Sequence, residues 1–398
     1  MRLFTRIIFL IIFSFTLFSK ENTTIVISFD GFRWDYLNRN LTPKLDSIAN
    51  EGIRALSLKP VFPSSTFTNH ITMMTGLYPE NHGIIANYFA DLNTFEKFNI
   101  YTVSVRESKW YNGEFIWETA KRNGIITASY FWPGSEITLD YRRPNYFEKY
   151  EHTRDYKSRI DGVINWLKLP DSLRPKFITL YFDETDSKAH KYGTNSYEIE
   201  RSLKLLDSLV IYLDSQLKEI NIKDNVNLLI LSDHGMTDFV EHPEIILGDL
   251  IDLKELFVNN LTSYAYIQAP IGKVDSIYNI LKLKEKNYKV FRKFEIPDRF
   301  HLANHPFVTN IFLLADLGYG IVDKKSEYIH KANHGYDNEN IDMHGIFIAK
   351  GPDFKSGFKC STLYNTDIYP LLCKLLNITP KRNIDGKIER IEFILKGE

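Results

Sequence analysis

The sequence predicts an α/β protein with a mostly parallel central sheet, helices on both faces of that sheet, and a small α/β insertion. Two patterns lead to this prediction. Short apolar runs rich in β-branched residues, which are typical of strands buried on both faces, alternate along the chain with helical segments. Asp, Glu and His residues directly follow several of these runs, where ligands bind in parallel sheets.

The elements follow from local patterns in chain order. Thr24–Phe29 is a continuous apolar run that ends at Asp30-Gly31, and the long segment Ser196–Lys218 repeats leucine and valine at helical spacing. Gly52 and Gly124 follow two helical segments as C-caps, and the helix from about Phe67 stops by Gly76. We predict core strands over 24–29, 53–58, 125–131, 176–182, 226–231 and 346–349, and helices over 41–51, from about 67 to 76, and over 115–123, 155–167, 196–218 and 365–376.

The segment from about 244 to 322 is less periodic, with predicted strands at Tyr264–Ala269 and Asn310–Ala315 around a helix near Val274–Lys284. The chain has no internal repeats and no low-complexity linkers. These features favour one catalytic domain over residues 20–398 that carries an insertion, rather than two independent domains.

The termini and composition bear on location and partners. A basic start followed by the apolar run Ile7–Phe18 predicts a secretory signal peptide over residues 1–19, with an uncleaved anchor as the alternative. We therefore expect a secreted, periplasmic or otherwise extracytoplasmic protein with no membrane span after cleavage. The net charge of -1 gives no reason to expect a nucleic acid duplex as partner. Cys360 and Cys373 suggest one disulfide in an exported chain, the alternative being two buried free thiols.

A candidate nucleophile lies at the start of the second predicted helix. Phe62-Pro63 ends one element and Ser64-Ser65 is typical of a helix N-cap, so Thr66 is expected at a helix N-terminus. Backbone N–H groups converge there and favour an anion. The Thr66 hydroxyl is therefore placed to attack a phosphoryl or acyl centre if its proton is removed, although a plain structural cap is the alternative.

Candidate metal ligands follow the predicted strands. Asp and His without an available Cys indicate a divalent metal, with Zn²⁺ as the best guess. Asp186 and His190 have the i, i+4 spacing of two ligands on one helical turn, but spacing alone leaves Asp183 open as the carboxylate. The inventory is sufficient for two metal ions, which would lower the pKa of the Thr66 hydroxyl. The candidates are Asp30, Asp183, Glu184, Asp186, His190, Asp233, His234 and His334.

With these motifs in this order, the chain resembles the nucleotide pyrophosphatase/phosphodiesterase family of the alkaline phosphatase superfamily. The resemblance covers nearly the whole chain after the leader. It rests on Asp30-Gly-Phe-Arg-Trp-Asp-Tyr36, Phe62-Pro-Ser-Ser-Thr-Phe67, Asn69-His70, Thr75-Gly-Leu-Tyr-Pro79, His82-Gly-Ile-Ile85, Phe131-Trp-Pro-Gly-Ser135, Asp186 with His190, Ser232-Asp-His-Gly-Met236 and His334-Gly-Tyr-Asp-Asn338.

The resemblance implies an alkaline phosphatase-like fold and assigns roles. It makes Thr66 the nucleophile and ranks His334 above His344 as a ligand. One zinc would take Asp30, Thr66, Asp233 and His234, and the other Asp186, His190 and His334, which favours Asp186 over Asp183.

Substrate contacts also follow from the resemblance. Asn87 would hold a phosphate oxygen together with the Thr66 backbone N–H, and Phe67 and Tyr150 would sandwich a nucleobase. Trp132 and Glu136 belong to a motif that favours a nucleotide as the small-molecule substrate.

The chain departs from the family pattern at Thr68, Thr185 and Ala189, and none of these removes a ligand. The predicted function is a zinc-dependent hydrolase that cleaves nucleotide phosphodiester or pyrophosphate bonds through a covalent threonyl intermediate and releases nucleoside 5′-monophosphates. A choline phosphodiesterase of lysophospholipase C type, a phosphate monoesterase and a catalytically inactive binding module are the alternatives.

Overall fold

The apolar runs of the sequence form strands in the computed structural model, which describes residues 22–325 and 330–397. The predicted leader over residues 1–19 lies outside the described residues. The described strands are β1 (Thr23–Phe29), β2 (Ile53–Ala55), β3 (Leu58–Lys59), β4 (Tyr88–Ala90), β5 (Lys97–Asn99), β6 (Thr127–Tyr130), β7 (Tyr146–Glu148), β8 (Phe177–Phe182), β9 (Val226–Leu231), β10 (Thr237–Asp238), β11 (Glu244–Ile246), β12 (Phe257–Asn259), β13 (Tyr264–Gln268), β14 (Tyr288–Arg292), β15 (Ile311–Ala315), β16 (Gly320–Val322), β17 (Ala332–Asn333), β18 (Phe347–Lys350), β19 (Phe358–Cys360) and β20 (Leu363–Tyr364).

The helices lie between these strands, as the alternating pattern predicts. None of the described helices is long and apolar enough to cross a membrane. They are α1 (Pro43–Glu51), α2 (Thr66–Thr75), α3 (Pro79–His82), α4 (Ile116–Arg122), α5 (Tyr156–Leu167), α6 (Glu184–Tyr192), α7 (Tyr197–Glu219), α8 (Leu247–Leu250), α9 (Val274–Leu283) and α10 (Ile368–Leu375).

The main sheet has eight strands in the order β19-β2-β18-β9-β1-β8-β6-β7. Its centre is β1, which runs parallel to β8 and β9 and pairs Phe29 with Phe182 and Ser28 with Leu231. The strand β18 is antiparallel to both β9 and β2. Because β1, β8 and β9 are parallel neighbours, their carboxyl ends meet at one edge, and this edge carries the candidate site.

Helices cover both faces of this sheet, which confirms the predicted architecture. Ile25 and Ile27 of β1 pack into a core with residues of α1, α5 and α7. Val26, pointing to the opposite face, packs with residues of α2, α4 and α10. The period-two alternation of a strand thus distributes one apolar run between two cores.

The insertion contains an antiparallel sheet of order β12-β13-β15-β14, with α9 packed against it in a core of its own. The predicted strands at 264–269 and 310–315 correspond to β13 and β15, and the predicted helix to α9. The sequence analysis missed β12 and β14. It also missed β7 and β19, which are edge strands of three residues that are mostly half-buried.

The structure corrects three details of the sequence analysis. The predicted strand 53–58 divides into β2 and β3, because the backbone turns at Leu56, which is exposed. The helix predicted over 365–376 begins as a 3-10 turn at Asn365–Asp367. The disulfide prediction is wrong, since Cys360 and Cys373 are free thiols. Burial raises the pKa of Cys360 to about 11 and that of Cys373 to about 12, so both thiols stay protonated at neutral pH.

Candidate active site

Thr66 is the first residue of α2, as predicted, and its side chain faces the end of β9. Its Oγ lies 3.3 Å from Nε2 of His234. Ser65 holds the N-cap position with an extended backbone, but its side chain makes no capping hydrogen bond and instead lies 3.3 Å from the hydroxyl of Tyr264. Ser64 donates from its hydroxyl to the Tyr336 carbonyl. The serine pair therefore ties the start of α2 to other segments rather than capping the helix.

A first group of potential ligands lies around the Thr66 hydroxyl. Asp30 follows β1, and Asp233 and His234 follow β9. Nε2 of His234 lies 3.4 Å from Oδ1 of Asp30 and 3.2 Å from Oδ2 of Asp233. Three side chains from two neighbouring strand ends and the hydroxyl from a helix start thus converge on one point.

A second group lies directly beside the first. Oδ1 of Asp186 is 3.4 Å from Nε2 of His190 and 3.6 Å from Nε2 of His334. The rings of His234 and His334 stack with centroids 3.8 Å apart, which brings the two groups into contact. The structure therefore collects all seven predicted ligand residues at one edge of the sheet.

The imidazoles are held in the orientation that a metal ligand requires. Nδ1 of His190 donates to the Ala332 carbonyl at 2.9 Å, and Nδ1 of His334 to the Ser64 carbonyl at 2.8 Å. Nδ1 of His234 lies 2.8 Å from its neighbour's carbonyl. In the neutral form of each ring, the proton on Nδ1 is engaged by backbone and Nε2 carries the lone pair that a metal ion would bind.

The carboxylates of the site also have oxygen atoms that are free to bind a cation. Oδ1 of Asp30, Oδ1 of Asp186 and Oδ2 of Asp233 are buried and have no hydrogen-bond donor within the described chain. An unpaired buried carboxylate oxygen is costly, and a bound cation relieves that cost. Oxygen and imidazole donors without a thiolate fit a hard or borderline divalent ion.

Ionisation of the site reflects its excess of buried negative charge. Burial raises the pKa of Asp30, and the charges of Asp233 and Asp186 add to this effect. Burial lowers the pKa of His334 to about 4 and holds that of His234 well below its usual value, so both rings are neutral. Burial alone would lower the pKa of His190, but the adjacent Asp186 carboxylate outweighs it and raises that pKa to about 9. The His190 ring therefore carries a positive charge beside Asp186, and metal ions would supply positive charge to the remaining carboxylates.

Two supporting residues were given no role in the sequence analysis, although His70 appears there in the Asn69-His70 motif. His70 is fully buried beneath Thr66, with Nδ1 2.8 Å from the Thr66 carbonyl and 3.3 Å from Oδ2 of Asp233, while Nε2 lies 2.8 Å from Oγ of Ser28. It therefore orients the helix start and a ligand, and does not act as a base toward the hydroxyl. Tyr181 of β8 donates its hydroxyl to Oδ2 of Asp30. The sequence signals for His70 were the Asn69-His70 motif and its i, i+4 spacing from Thr66.

The remaining candidates lie elsewhere. Asp183 pairs with the buried Arg159 at 3.2 Å and with His152 at 3.1 Å, away from the ligand groups. His344 engages both ring nitrogens, with Nδ1 2.9 Å from Oγ of Ser57 and Nε2 3.0 Å from the Asn338 carbonyl. Asp183 and His344 are thus committed to structural contacts. Oε1 of Glu184 is likewise engaged, since it accepts from Ser202 at 2.8 Å.

A cavity of about 1380 Å³ opens over the two groups and is lined by every residue predicted to bind substrate. Oδ1 of Asn87 accepts from the Phe67 N–H at 3.0 Å, which leaves the NH₂ of that amide as its donor for a ligand. Phe67 packs edge-on against Phe98, and Tyr150 against Phe131.

Trp132 and Glu136 support this cavity from behind. Trp132 is 1% exposed and packs edge-on against His70. Glu136 accepts from the backbone N–H of Tyr150 and pairs with Arg106 at 3.0 Å. Glu136 therefore has a role in holding the Tyr150 segment, which the sequence did not indicate.

Comparison with known proteins agrees with this geometry. Residues 24–337 match the model of the type I phosphodiesterase/nucleotide pyrophosphatase family. Ectonucleotide pyrophosphatase/phosphodiesterase family member 7 of Rattus norvegicus is 34% identical over 92% of this chain and 86% of its own length. Murine ectonucleotide pyrophosphatase/phosphodiesterase 5, solved as an inactive threonine-to-alanine variant in complex with AMP, superposes with a TM-score of 0.91 at 33% identity, over 94% of this chain and 100% of that one.

Venom phosphodiesterase 2 of Crotalus adamanteus is 34% identical over 95% of this chain. The chain spans about half the length of the venom relatives it matches, namely 48% of that protein. The likeness to the murine structure identifies the fold as alkaline phosphatase-like. From the family match, the identities and this fold, the chain belongs to the type I phosphodiesterase/nucleotide pyrophosphatase family of hydrolases.

Proposed function

We propose that this protein is a zinc-dependent nucleotide pyrophosphatase/phosphodiesterase that works through a covalent Thr66 intermediate and releases nucleoside 5′-monophosphates. The observation that carries the proposal is the Thr66 hydroxyl at a helix N-terminus, 3.3 Å from a histidine of one Asp/His group and beside a second such group. The threonine-to-alanine variant of the murine neighbour is inactive and was solved with AMP, which supports both the nucleophile and a nucleotide substrate.

The two groups would hold two Zn²⁺ ions, the first with Asp30, Thr66, Asp233 and His234, and the second with Asp186, His190 and His334. Bound there, the ions would supply positive charge that lowers the pKa of the Thr66 hydroxyl and stabilises the attacking and leaving oxygens of a phosphoryl displacement. The unpaired carboxylate oxygens and the lone pairs on Nε2 support this assignment.

The chain's own residues perform the rest of the reaction. The Thr66 hydroxyl gives its proton to water, and its Oγ forms a bond to phosphorus while the bond between phosphorus and the leaving oxygen breaks. The leaving oxygen takes up a proton from water where its own pKa requires one. A water molecule then attacks the threonyl ester, and the nucleoside monophosphate departs as the Thr66 hydroxyl is restored. Backbone N–H groups of the first turn of α2 and the NH₂ of Asn87 would bind the phosphate oxygens. His70 keeps that turn in place through the Thr66 carbonyl.

The nucleotide base would lie between the aromatic side chains of the cavity. Phe67 adjoins the nucleophile, and Tyr150 is fixed through its backbone by Glu136. Stacking on such rings is worth roughly 1–3 kcal/mol per base and tolerates any base. We therefore expect selection for nucleotides with little base preference. The predicted leader and the venom relatives support an extracytoplasmic location.

The direct test is a hydrolysis panel on Thr66→Ala and Thr68→Ala proteins. The substrates are ATP, a nitrophenyl ester of TMP, nitrophenyl phosphorylcholine and nitrophenyl phosphate. Thr66→Ala should lose more than about 10³-fold in kcat, as nucleophile deletions do, and should retain a bound metal at the second site. Thr68, two residues along α2 and fully buried, serves as the control and should keep its activity. An active Thr66→Ala enzyme contradicts the mechanism, and faster cleavage of phosphorylcholine than of nucleotides contradicts the substrate class.

A further inference from the structure

The ring that is proposed to stack on the base, Tyr150, lies on a segment without regular structure. Tyr150 follows β7 and precedes α5, and no described helix or strand includes it. The residue is 42% exposed. Ordering an exposed side chain when a ligand binds costs conformational entropy. Contacts that hold the ring in place before the ligand arrives would lower that cost.

Two sets of contacts hold the backbone and the ring of Tyr150. Its backbone N–H donates to Glu136. Its ring makes T-shaped contacts with Phe131, at a centroid distance of 5.3 Å, and with Tyr181, at 6.2 Å. These contacts restrain the backbone and the sides of the ring, and the hydroxyl at its far end has a different partner.

His152 is the partner of that hydroxyl. Nδ1 of His152 lies 3.2 Å from the hydroxyl oxygen of Tyr150 and 3.1 Å from Oδ2 of Asp183. A carboxylate can only accept a hydrogen bond, so the contact with Asp183 favours the tautomer of His152 that carries its proton on Nδ1. The Tyr150 oxygen then accepts from the same N–H. The His152 side chain is 68% exposed, so its position depends on Asp183.

Asp183 connects His152 to the protein core. Its Oδ1 accepts from Nη1 of Arg159 at 3.2 Å. Arg159 is fully buried, and the same nitrogen also donates to the Tyr181 carbonyl at 2.9 Å. The guanidinium lies 4.5 Å from the centre of the Tyr156 ring. Arg159 is therefore held on several sides. We call His152, Asp183 and Arg159 the Tyr150 support.

We propose that His152 is a positioning residue for the reaction, which holds the Tyr150 hydroxyl beside Asp183 and so keeps the ring in the orientation that stacks on a nucleobase. The inference rests on the proposed function, since it assumes that Tyr150 contacts a base. None of the motifs behind the family resemblance includes His152, Asp183 or Arg159. The role of His152 follows from the distances in this chain.

The experiment cuts the contact between the two side chains from either end. His152→Ala removes the imidazole, whereas Tyr150→Phe removes the hydroxyl and keeps the ring. Each change should raise KM for the nitrophenyl ester of TMP about threefold to tenfold, the cost of ordering one side chain on binding. Each should leave kcat within about twofold, because neither group touches the reacting atoms. The double variant should show no further rise in KM, since both changes remove the same contact.

Three controls separate positioning from a general loss of structure. His152→Asn keeps an N–H donor near the place of Nδ1 and should recover most of the loss seen in His152→Ala. Methyl nitrophenyl phosphate has the same leaving group but no base, and the changes at His152 and Tyr150 should barely affect its cleavage. Tyr212→Phe deletes a hydroxyl that donates to Asp161 at 2.6 Å, outside the cavity, and should alter KM for neither substrate.

Binding can also be measured without turnover. In the Thr66→Ala background, calorimetry should show that His152→Ala weakens the binding of AMP about threefold to tenfold. The binding of inorganic phosphate should be unchanged, because phosphate has no base to stack on Tyr150.

The outcomes distinguish this inference from the proposed function. If His152→Ala and Tyr150→Phe left KM and the affinity for AMP unchanged, the Tyr150 support would be rejected, while nucleotide hydrolysis by the wild type would keep the proposed function in place. Additive losses in the double variant, or equal losses on the substrate without a base, would also reject the support. A wild-type enzyme that neither cleaves nucleotides nor binds AMP would overturn the proposed function and this inference with it.

Discussion

Replacing Gly31 with alanine should remove one metal ion from the site while leaving the fold intact. Gly31 follows Asp30 with φ of +64°, and a Cβ added there would lie 2.9 Å from Cα of Asp186. An ordinary contact needs at least 3.4 Å, so Asp186 would have to retreat by about 0.5 Å. Metal-ligand distances tolerate only about 0.2 Å, so a shift of this size is sufficient to disrupt the second ligand group.

Existing hydrogen bonds oppose this displacement of Asp186, and they determine the expected loss of stability. The Asp186 N–H donates to the Asp30 carbonyl at 3.0 Å, and the Thr185 hydroxyl donates to the same oxygen. Alanine in the left-handed region costs about 1–2 kcal/mol on its own, and straining these hydrogen bonds adds about 1 kcal/mol more. For a chain of this length the melting temperature should fall by several degrees.

Gly124 provides the matched control. Its φ is +75°, but a Cβ there would meet no atom within 4 Å, so Gly124→Ala carries the backbone cost without the clash. Elemental analysis of purified protein should give about two zinc ions per chain for the wild type and for Gly124→Ala, and about one for Gly31→Ala. If Gly31→Ala retained both ions with unchanged affinity and melted together with Gly124→Ala, the argument from close approach would be refuted.

Three further expectations concern metal, substrate and pH. His334→Ala should lower zinc occupancy to about one ion per chain, whereas His344→Ala, whose ring bonds only to protein groups, should retain both, as measured by elemental analysis. Tyr150→Ala should raise KM for nucleotides about tenfold or more in steady-state assays and barely affect a small diester without a base, and equal effects on both would contradict a stacking role. Burial, with a contribution from its neighbour His305, lowers the pKa of His82 to about 3, and burial with the Lys293 charge lowers that of His305 to about 4. Below pH 6.5 the unfolded chain therefore binds protons that the folded chain does not. As the pH falls, the free energy of unfolding should decrease by up to about 1.4 kcal/mol per pH unit for each histidine, until the pH reaches the folded pKa of that histidine. Acid titration of urea unfolding would detect this decrease.

The sequence was sufficient for the strands that carry the site because they are buried on both faces. Val226–Leu231 was predicted with its observed bounds, and Thr24–Phe29 differs by one residue. A continuous apolar run of this length clearly predicts a buried strand. The end of the run shows which polar residue lies at the carboxyl end of that strand. Edge strands such as β7 have little apolar surface to bury, so three half-buried residues leave no periodic signal.

The ligand set was only partly accessible from spacing. The i, i+4 pair Asp186 and His190 can be recognised locally, but spacing alone left Asp183 an equal candidate. The family resemblance favoured Asp186, and the structure pairs Asp183 with Arg159. His334 is separated from His190 by 144 positions, and only the fold brings it near Asp186. The disulfide prediction failed for the same reason, because an even number of cysteines says nothing about how far apart they lie in the fold.

Residues that act through the backbone are the hardest to predict, and they explain why this site needs a large domain. His70 holds the Thr66 carbonyl, Ser64 supplies the carbonyl that orients His334, and Ser263 binds the His334 carbonyl in turn. The last two contacts join segments that no local pattern connects, and the three together hold the Thr66 hydroxyl and His334 in place. A charge cluster with three unpaired carboxylate oxygens would otherwise push its members apart, since burial strengthens their repulsion. The surrounding hydrogen bonds therefore hold the ligand residues in the arrangement in which metal ions can bind. The stability of the domain maintains this arrangement before an ion binds.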